Sequence, residues 1–298
     1  MTAYTAGLKS LLPTFGVIYG FQALCGGLAI PYKTEKYYDL CGSLGFISAV
    51  GLSLYLPSIR ARWITEGSLT RISALPPISS FHPRQLIMSG LTIFWAARLG
   101  TFLYQRVKRS GGDSRFDEIK KDPAKFFGAW MMQATWIAMT ALPVFLVNSI
   151  PRASQPSLGV RDYAGLAIWL AGMGLEIVAD NQKTRWRREK DQGKHQEKFL
   201  ESGVWSWSRH PNYFGEVTLW TGQYVLSISA LANAQPFYRP WVAGAAIVSP
   251  ALEYALIRYL SGVPLLEKSA ETRFKDDPRW KEYKSKVPCF VPFFGSKD

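Results

Sequence analysis

The sequence lacks the motifs that mark several common classes of enzyme. It contains no glycine-rich dinucleotide fingerprint after a strand and no Walker-type phosphate loop. A nucleophile elbow and a zinc-binding H-E-x-x-H helix are also missing. A nucleotide cofactor would therefore have to be held by side chains of a helical bundle.

Cysteine, histidine and acidic residues are scarce. The three cysteines, Cys25, Cys41 and Cys289, are odd in number and unrelated in spacing, so neither a disulfide framework nor a zinc site is indicated. The 22 acidic residues are outnumbered by 35 Lys and Arg, giving a net charge of +13. No recognition helix or RNA-binding aromatic motif accompanies this charge, which argues against a nucleic-acid partner. Basic loops instead suit anionic lipid headgroups.

The charged residues, 19% of the chain, collect between long apolar stretches. Each stretch has about 18–25 residues, the length that crosses about 30 Å of hydrocarbon. We identify seven, at about 8–30, 38–57, 85–105, 126–149, 163–182, 212–234 and 240–262. The sequence therefore predicts an all-α, polytopic integral membrane bundle of about seven transmembrane helices. Residues 1–298 are expected to form one membrane domain, with an N-terminal half (1–150) and a C-terminal half (160–292).

The distribution of basic residues predicts the orientation of this bundle. With seven spans, 26 of the 35 Lys and Arg residues fall on one side, in loops 31–37, 106–125 and 183–211 and in region 258–298. Eight fall on the other side, and Arg98 lies within the third stretch. Because basic loops stay in the cytosol, we expect a cytosolic C-terminus and a non-cytosolic N-terminus.

A stripe of charged residues runs along the fifth stretch. Its members, at spacings of four, three and four, are Glu176, Asp180, Lys183 and Arg187. These spacings place them on one helix face. One interpretation is a salt-bridged stripe that closes the bundle through Arg98. The other is a phosphate site, since Arg offers a planar fork of donors and Lys a point charge.

A second polar segment lies where the basic loop meets the sixth apolar stretch. It reads Arg209-His210-Pro211-Asn212-Tyr213-Phe214-Gly215-Glu216. Polar groups then continue at helical spacing through Gln223 and Ser227, and such a stripe faces a bundle interior or a wet cavity rather than lipid. Polar groups at that depth are costly and indicate binding or catalysis. The structural alternative is a hydrogen-bonded network among Tyr213, Glu216 and Gln223.

The C-terminal region from Pro264 to Pro292 mixes aromatic side chains with seven Lys and Arg residues. This composition is typical of an amphipathic segment on an anionic membrane surface. The segment could equally cover the cytosolic mouth of the bundle, with Glu267, Trp280 and Tyr283 facing a cofactor. The two interpretations are compatible.

Three blocks of the C-terminal half resemble a superfamily of membrane enzymes. They are residues 180–187 (DNQKTRWR), residues 203–216 (GVWSWSRHPNYFGE), and Glu267 with residues 280–283 and 287–288. The superfamily contains the steroid 5-alpha-reductases, the sterol C14 reductases and the isoprenylcysteine carboxyl methyltransferases. The chain is most similar to a reductase-like branch of undefined function, and its N-terminal half shows no matching block.

The resemblance implies a membrane-embedded bundle that binds its cofactor from the cytosolic side. In the sterol reductases, the block similar to residues 181–187 contacts the adenosine 2′-phosphate of NADPH, and the block similar to 209–216 lines the pyrophosphate and nicotinamide. The cofactor-binding residues implied here are Asn181, Lys183, Arg187, Arg209, His210, Asn212, Tyr213, Glu216 and Tyr283. Tyr213 is the expected proton donor and Glu216 the residue that orients the nicotinamide amide. No metal is implied.

Three functions are compatible with these features. The first is NADPH-dependent reduction of a carbon–carbon double bond in a lipophilic steroid-, sterol- or polyketide/terpenoid-like substrate. The second is S-adenosylmethionine-dependent methylation of a lipid-like substrate, which has no need of Lys183 and Arg187. The third is non-catalytic lipid binding on the same fold. A lipophilic small molecule and membrane lipids are the expected partners, the endoplasmic reticulum membrane is the expected location, and the oligomeric state stays open.

Overall fold

The computed structural model describes residues 3–66 and 75–294, and within them the chain is helical, with no strand. The α-helices, in chain order, are α1 (Ala3–Ala29), α2 (Tyr38–Glu66), α3 (Pro83–Ser110), α4 (Pro123–Thr140), α5 (Leu142–Asn148), α6 (Val160–Asp191), α7 (Pro211–Ala232), α8 (Trp241–Ala245), α9 (Val248–Ala255), α10 (Val263–Phe274) and α11 (Pro278–Lys286). A π-helical turn, Leu256–Ser261, follows α9. The predicted all-α class is confirmed.

Several helices begin at a proline that follows a residue able to cap the helix. Asp122 and Asp277 accept hydrogen bonds from the first backbone N–H groups of α4 and α11. His82 and Gln85 form a reciprocal capping box at the start of α3. Proline suits the first helical turn because its missing N–H would have no partner there. The same reasoning accounts for the start of α7 at Pro211, directly before the predicted site residues.

Four helical segments are long and apolar enough to cross a membrane: Leu11–Ala29, Tyr38–Arg60, Pro83–Arg109 and Val160–Asp191. α4 and α5 would together make a fifth, but a 54° bend separates them. The bend lies just before Pro143, whose ring disrupts the preceding helical turn.

By length and hydropathy, the described residues therefore support four or five spans, and the count of seven stays a prediction. The predicted sixth stretch is helical as α7, but its polar stripe lowers its hydropathy. The predicted seventh stretch is divided among α8, α9 and the π-helical turn.

The chain gathers into two compact units, each built from two segments. Unit 1 comprises Met1–Asp162 and Val225–Ser249, and unit 2 comprises Tyr163–Tyr224 and Pro250–Asp298. All the site residues predicted from the sequence belong to unit 2. The candidate site therefore lies within unit 2.

Unit 1 has an aromatic core and one buried ion pair. Phe46 on α2 meets the rings of Trp95 and Trp136 edge-on, with centroids 5.0 and 4.9 Å away. Arg84, in the first turn of α3, binds Asp162 through two hydrogen bonds of 2.6 and 3.0 Å. Both side chains are at most 2% exposed. Two charge-assisted hydrogen bonds of this kind make a strong and geometrically specific pair.

In unit 2, α6 and α7 approach closely through glycine. A Cβ atom at Gly215 would lie 2.7 Å from the carbonyl oxygen of Gly172, and one at Gly172 would lie 2.6 Å from the carbonyl oxygen of Gly215. Two helical turns further along α7, a Cβ atom at Gly222 would lie 2.6 Å from the backbone nitrogen of Trp169. Small residues at such positions let helix backbones touch. This contact sets the first two sequence blocks side by side.

We expect Gly215→Ala to destabilise unit 2, because the added methyl group meets backbone that cannot move away. The expected loss is about 1–3 kcal/mol, the usual cost of overpacking. Gly174→Ala on α6 is the matched control, since no atom lies within 4 Å of its added methyl group. Alanine there should leave stability unchanged or raise it by up to about 1 kcal/mol. Thermal unfolding of the detergent-purified variants measures both, and equal behaviour of the two variants would contradict the close helix contact.

Candidate functional site

The start of α7 is fastened to the C-terminal residues. The backbone N–H of Arg209 donates to the carbonyl of Pro288 at 2.9 Å. The Ser208 hydroxyl donates to the carbonyl of Phe290 at 2.8 Å and accepts from the N–H of His210 at 3.1 Å. Ser208 was not predicted as a site residue, although it belongs to the second sequence block. The third sequence block is thus brought against the second.

Arg209 and Glu267 form a buried ion pair at this junction. The Nε and Nη2 atoms of Arg209 lie 3.2 and 3.1 Å from the two carboxylate oxygens of Glu267 on α10. Nη1 donates to the carbonyls of Lys284 and Val287, both at 3.2 Å. The Arg209 side chain is only 2% exposed. Its guanidinium therefore joins α7, α10 and the end of α11.

His210 shares the same carboxylate. Its Nε2 atom lies 2.7 Å from Glu267 Oε1. Burial lowers the pKa of His210; Glu267 acts in the opposite direction, and the charges of Lys183 and Arg209 add to the lowering. Burial alone would raise the pKa of Glu267, but the hydrogen bond from His210 and the charge of Arg209 outweigh it, so that pKa is lowered. A neutral imidazole thus donates from Nε2 to an ionised carboxylate.

This arrangement leaves the second ring nitrogen of His210 as an acceptor. Nδ1 is buried and has no hydrogen-bond partner among the described residues. The imidazole plane lies almost parallel to the Tyr213 ring, with an interplanar angle of 17° and centroids 5.9 Å apart. A buried polar atom without a partner is costly. The pair His210–Tyr213 therefore offers an acceptor and a phenol to a ligand.

The first and second blocks meet through α6. Asn212 donates from Nδ2 to Asp180 Oδ1 at 3.3 Å, and the Trp205 indole donates to the carbonyl of Ala179 at 3.2 Å. The Lys183 ammonium lies 4.9 Å from the centre of the Trp205 ring. Lys183 is also close enough for its charge to act on His210. Asn212, Tyr213 and Glu216 are half-buried.

Two of the α6 residues predicted to hold a phosphate are exposed. Asn181 and Arg187 lie on the surface of α6, and neither is engaged in a hydrogen bond or ion pair with the described residues. Arg185, which flanks the stripe, instead pairs with Glu189 at 2.8 Å. Lys183 and Arg187 share a helix face, whereas Asn181 lies further round the helix. Arg187 is thus an exposed cation one helical turn beyond Lys183 on α6.

Tyr283 and Trp280 belong to the aromatic packing of the C-terminal region. The Tyr283 hydroxyl donates to the carbonyl of Trp205 at 2.7 Å. Burial raises the pKa of Tyr283. Both rings contact Phe199, with centroids 5.2 Å (Trp280) and 5.6 Å (Tyr283) from its own. α11 therefore packs against Phe199 and Trp205 within unit 2. The cofactor contact of Tyr283 stays a prediction.

One group of side chains has the composition of a metal site. The ligand atoms of His210, Glu267 and Cys289 all lie within 4.8 Å of one another. The Arg209 guanidinium, however, already binds both oxygens of Glu267. A metal cation there would face a fixed positive charge, so the arrangement suits a neutral or anionic ligand better.

Surface depressions in unit 2 lie away from this cluster. One, on α10, is lined by Leu265, Lys268, Ser269, Thr272 and Arg273. Another lies beside residues 196–201, Asp277 and Arg279. Neither is lined by the Arg209–Glu216 segment. A ligand would reach that segment through the half-buried Asn212, Tyr213 and Glu216.

The apolar helices and this cluster define a class of protein: a helical, membrane-embedded protein whose polar groups gather at the start of one helix. A family model described as "Protein of unknown function (DUF1295)" matches residues 58–287, more than half of the chain. The chain belongs to this family, which is grouped with the steroid 5-alpha-reductase-like families. The predicted resemblance is confirmed at that level.

The chain is also similar to an uncharacterized protein of Schizosaccharomyces pombe, with 21% identity. The match covers 70% of this chain and 63% of the relative. No solved structure matches the chain. These comparisons give the family and leave its activity undefined.

We expect Glu267→Ala to destabilise the protein, because it leaves the buried Arg209 guanidinium without its counter-ion. Breaking a buried pair costs about 3–5 kcal/mol, and the remaining carbonyl partners of Arg209 favour the lower end. Glu282→Ala is the matched control, since it removes the exposed partner of Lys286 on α11. The control should change stability little. Denaturant unfolding of both variants tests this, and similar unfolding midpoints would show that the pair contributes little.

Proposed function

We propose that the protein is a membrane-embedded, NADPH-dependent reductase of a carbon–carbon double bond in a lipophilic substrate of steroid, sterol or polyketide/terpenoid type. Family membership supports this class of chemistry. The apolar helices support a substrate that reaches the site from the lipid. The single observation that carries the proposal is the exposed Arg187 on α6, one helical turn from Lys183, whose charge acts on His210.

The residues present fit a dinucleotide that carries an additional phosphate. Arg187 has uncommitted donors, and with Lys183 it offers two cations on one helix face. Asn181 adds exposed amide donors. A phosphate dianion is bound well by such charge-assisted contacts. The 2′-phosphate of NADPH would lie here, and a sulfonium donor has no equivalent group.

The second block would hold the reactive end of the cofactor. NADPH, when bound, supplies a hydride from its nicotinamide ring. In this proposal His210 Nδ1 would accept a hydrogen bond from the ligand, and Glu216 would orient its carboxamide. Tyr213 would donate a proton from its hydroxyl to the developing enolate or carbanion. Arg209 and Glu267 hold His210 in position without needing to contact the ligand.

We expect Arg187→Ala to weaken NADPH binding by about 1.5–3 kcal/mol, the scale of one charge-assisted contact. NADH affinity should fall far less, because NADH lacks the 2′-phosphate. Binding is measured as thermal stabilisation of detergent-purified protein over a range of cofactor concentrations.

Arg188→Ala is the matched control for this experiment. It removes the same charge from the adjacent, also exposed, position on another face of α6. It should lower the affinity for both dinucleotides slightly and equally. Equal losses of NADPH affinity in the two variants would contradict the 2′-phosphate assignment. Stabilisation by S-adenosylmethionine and by neither dinucleotide would overturn the reductase proposal and favour a methyltransferase.

We propose further that the chain crosses the endoplasmic reticulum membrane seven times, with α7 and the region from Trp241 to Ser261 as the last two spans. The basic loops then all face the cytosol, where NADPH is available. α7 would tolerate its polar stripe because that stripe faces protein rather than lipid.

We expect an epitope tag at the C-terminus to be accessible from the cytosol and one at the N-terminus to be protected. An odd number of spans places the two ends on opposite sides, and the excess of Lys and Arg fixes which end is cytosolic. Protease protection or selective permeabilisation of intact cells measures this. Finding both tags on the same side would require an even number of spans.

A further inference from the structure

The π-helical turn Leu256–Ser261, which follows α9, lies in unit 2. The backbone N–H of Gly262 donates to the carbonyl of Ile257, five residues earlier. A Cβ atom at Gly262 would lie 2.9 Å from that carbonyl oxygen, so glycine suits the end of the turn. Turns of this kind are rare and are found frequently at functional sites.

The π-helical turn brings two tyrosine side chains together. In an α-helix, residues five apart point about 140° away from each other around the axis. Tyr254 and Tyr259 are five residues apart, yet their hydroxyl oxygens lie 3.4 Å from each other. Their ring centroids are 5.7 Å apart, with ring planes at 89°. The wider turn, which closes its hydrogen bonds over five residues rather than four, accounts for this pair of phenols.

Arg258 adds a positive charge to the tyrosine pair. Its guanidinium carbon lies 5.4 Å from the centre of the Tyr259 ring. In the part of the chain that the structure describes, Arg258 has neither an ion pair nor a hydrogen bond, and the two hydroxyls have no hydrogen-bond partner besides each other. Arg258 is half-buried, and both tyrosines are exposed. The three side chains therefore present donors and a cation to a ligand.

The surroundings of this cluster favour an amphiphilic ligand. On the proposed topology, the π-helical turn lies at the cytosolic end of the last span. A cation close to the hydrocarbon region is costly unless it meets an anion. Leu260, directly after Tyr259, is 67% exposed, so apolar surface adjoins the donors. A molecule with an anionic head and a hydrocarbon tail matches both features.

We propose that Tyr254, Arg258 and Tyr259 bind the carboxylate of a long-chain amphiphile such as a fatty acid. The guanidinium fork pairs with the two oxygens of a carboxylate, and one positive charge balances one negative charge. An ionised carboxylate has about four lone-pair positions, so it also accepts from the phenols. The hydrocarbon chain then lies along Leu260. None of the three binding residues belongs to the proposed cofactor site, so amphiphile binding is independent of the reductase activity.

Binding of tritiated oleate to the detergent-purified full chain tests this site, with scintillation proximity as the measurement. Arg258→Gln should weaken binding about tenfold or more, because it removes a charge-assisted contact. Tyr254→Phe and Tyr259→Phe should each weaken it about three- to tenfold, because each removes one hydroxyl donor. Tyr163→Phe is the matched control, since Tyr163 is 62% exposed and Tyr259 61%. The control should bind oleate as the wild type does.

Competition on the wild-type protein needs no variant. Unlabelled oleate should displace the tracer, whereas methyl oleate, which has no charge, and acetate, which has no tail, should displace little at the same concentration. Methyl oleate as effective as oleate would show that the head is not recognised, and acetate as effective would show that the tail is not. Phosphatidylglycerol more effective than oleate would assign the site to a phospholipid headgroup. Any of these results, or wild-type affinity in Arg258→Gln, would overturn the proposal.

Discussion

The buried ion pair between Arg209 and Glu267 is the interaction on which unit 2 depends. A guanidinium that is 2% exposed would be strongly destabilising without a counter-ion and hydrogen-bond acceptors. Here it has both oxygens of one carboxylate and two backbone carbonyls from the end of α11. These four acceptors come from parts of the chain far apart in sequence. Because the guanidinium of Arg209 is removed from water, it needs these acceptors, and α10 and the C-terminal residues therefore pack against the start of α7.

This pair also decides the state of the adjacent imidazole. Because Arg209 keeps Glu267 ionised, the carboxylate accepts from His210 Nε2, and the lone pair of the neutral ring remains on Nδ1. The tautomer is therefore set by a group that need not touch a ligand. The stacked Tyr213 ring is then held beside a nitrogen that can accept a hydrogen bond. Under the proposed function, Arg209 and Glu267 would position the site, and His210 and Tyr213 would contact the ligand.

The sequence predicted what depends on local pattern. Helical class, most helix positions and the start of α7 at Pro211 follow from apolar length and from the properties of proline. Lys183 and Arg187 share one face of α6 because side chains four residues apart lie on the same side of an α-helix. The bend before Pro143 has a local cause too, because the proline ring disrupts the preceding helical turn.

The rest could not be predicted because it depends on contacts between distant residues. Arg84 and Asp162 pair across 78 positions, and nothing near either residue indicates its partner. Glu267 was noted as part of a block, but its partner Arg209 lies 58 positions away. Arg209 was expected to offer its donors to a cofactor, and only the fold shows that they already have acceptors within the chain.

The commitment of Arg209 to its own protein changes which residues remain for binding an anion. A guanidinium with a bidentate carboxylate has little positive potential left to offer, whereas an exposed one retains its full charge. Within unit 2, the electrostatic attraction for a phosphorylated ligand must then come mainly from α6, where Lys183 and Arg187 lie. The motif at the start of α7 contributes geometry instead, through an acceptor nitrogen and a phenol held at fixed positions. Under the proposed function, affinity and chemistry would thus belong to two different helices, and the glycine contact between Gly172 and Gly215 keeps those helices in register.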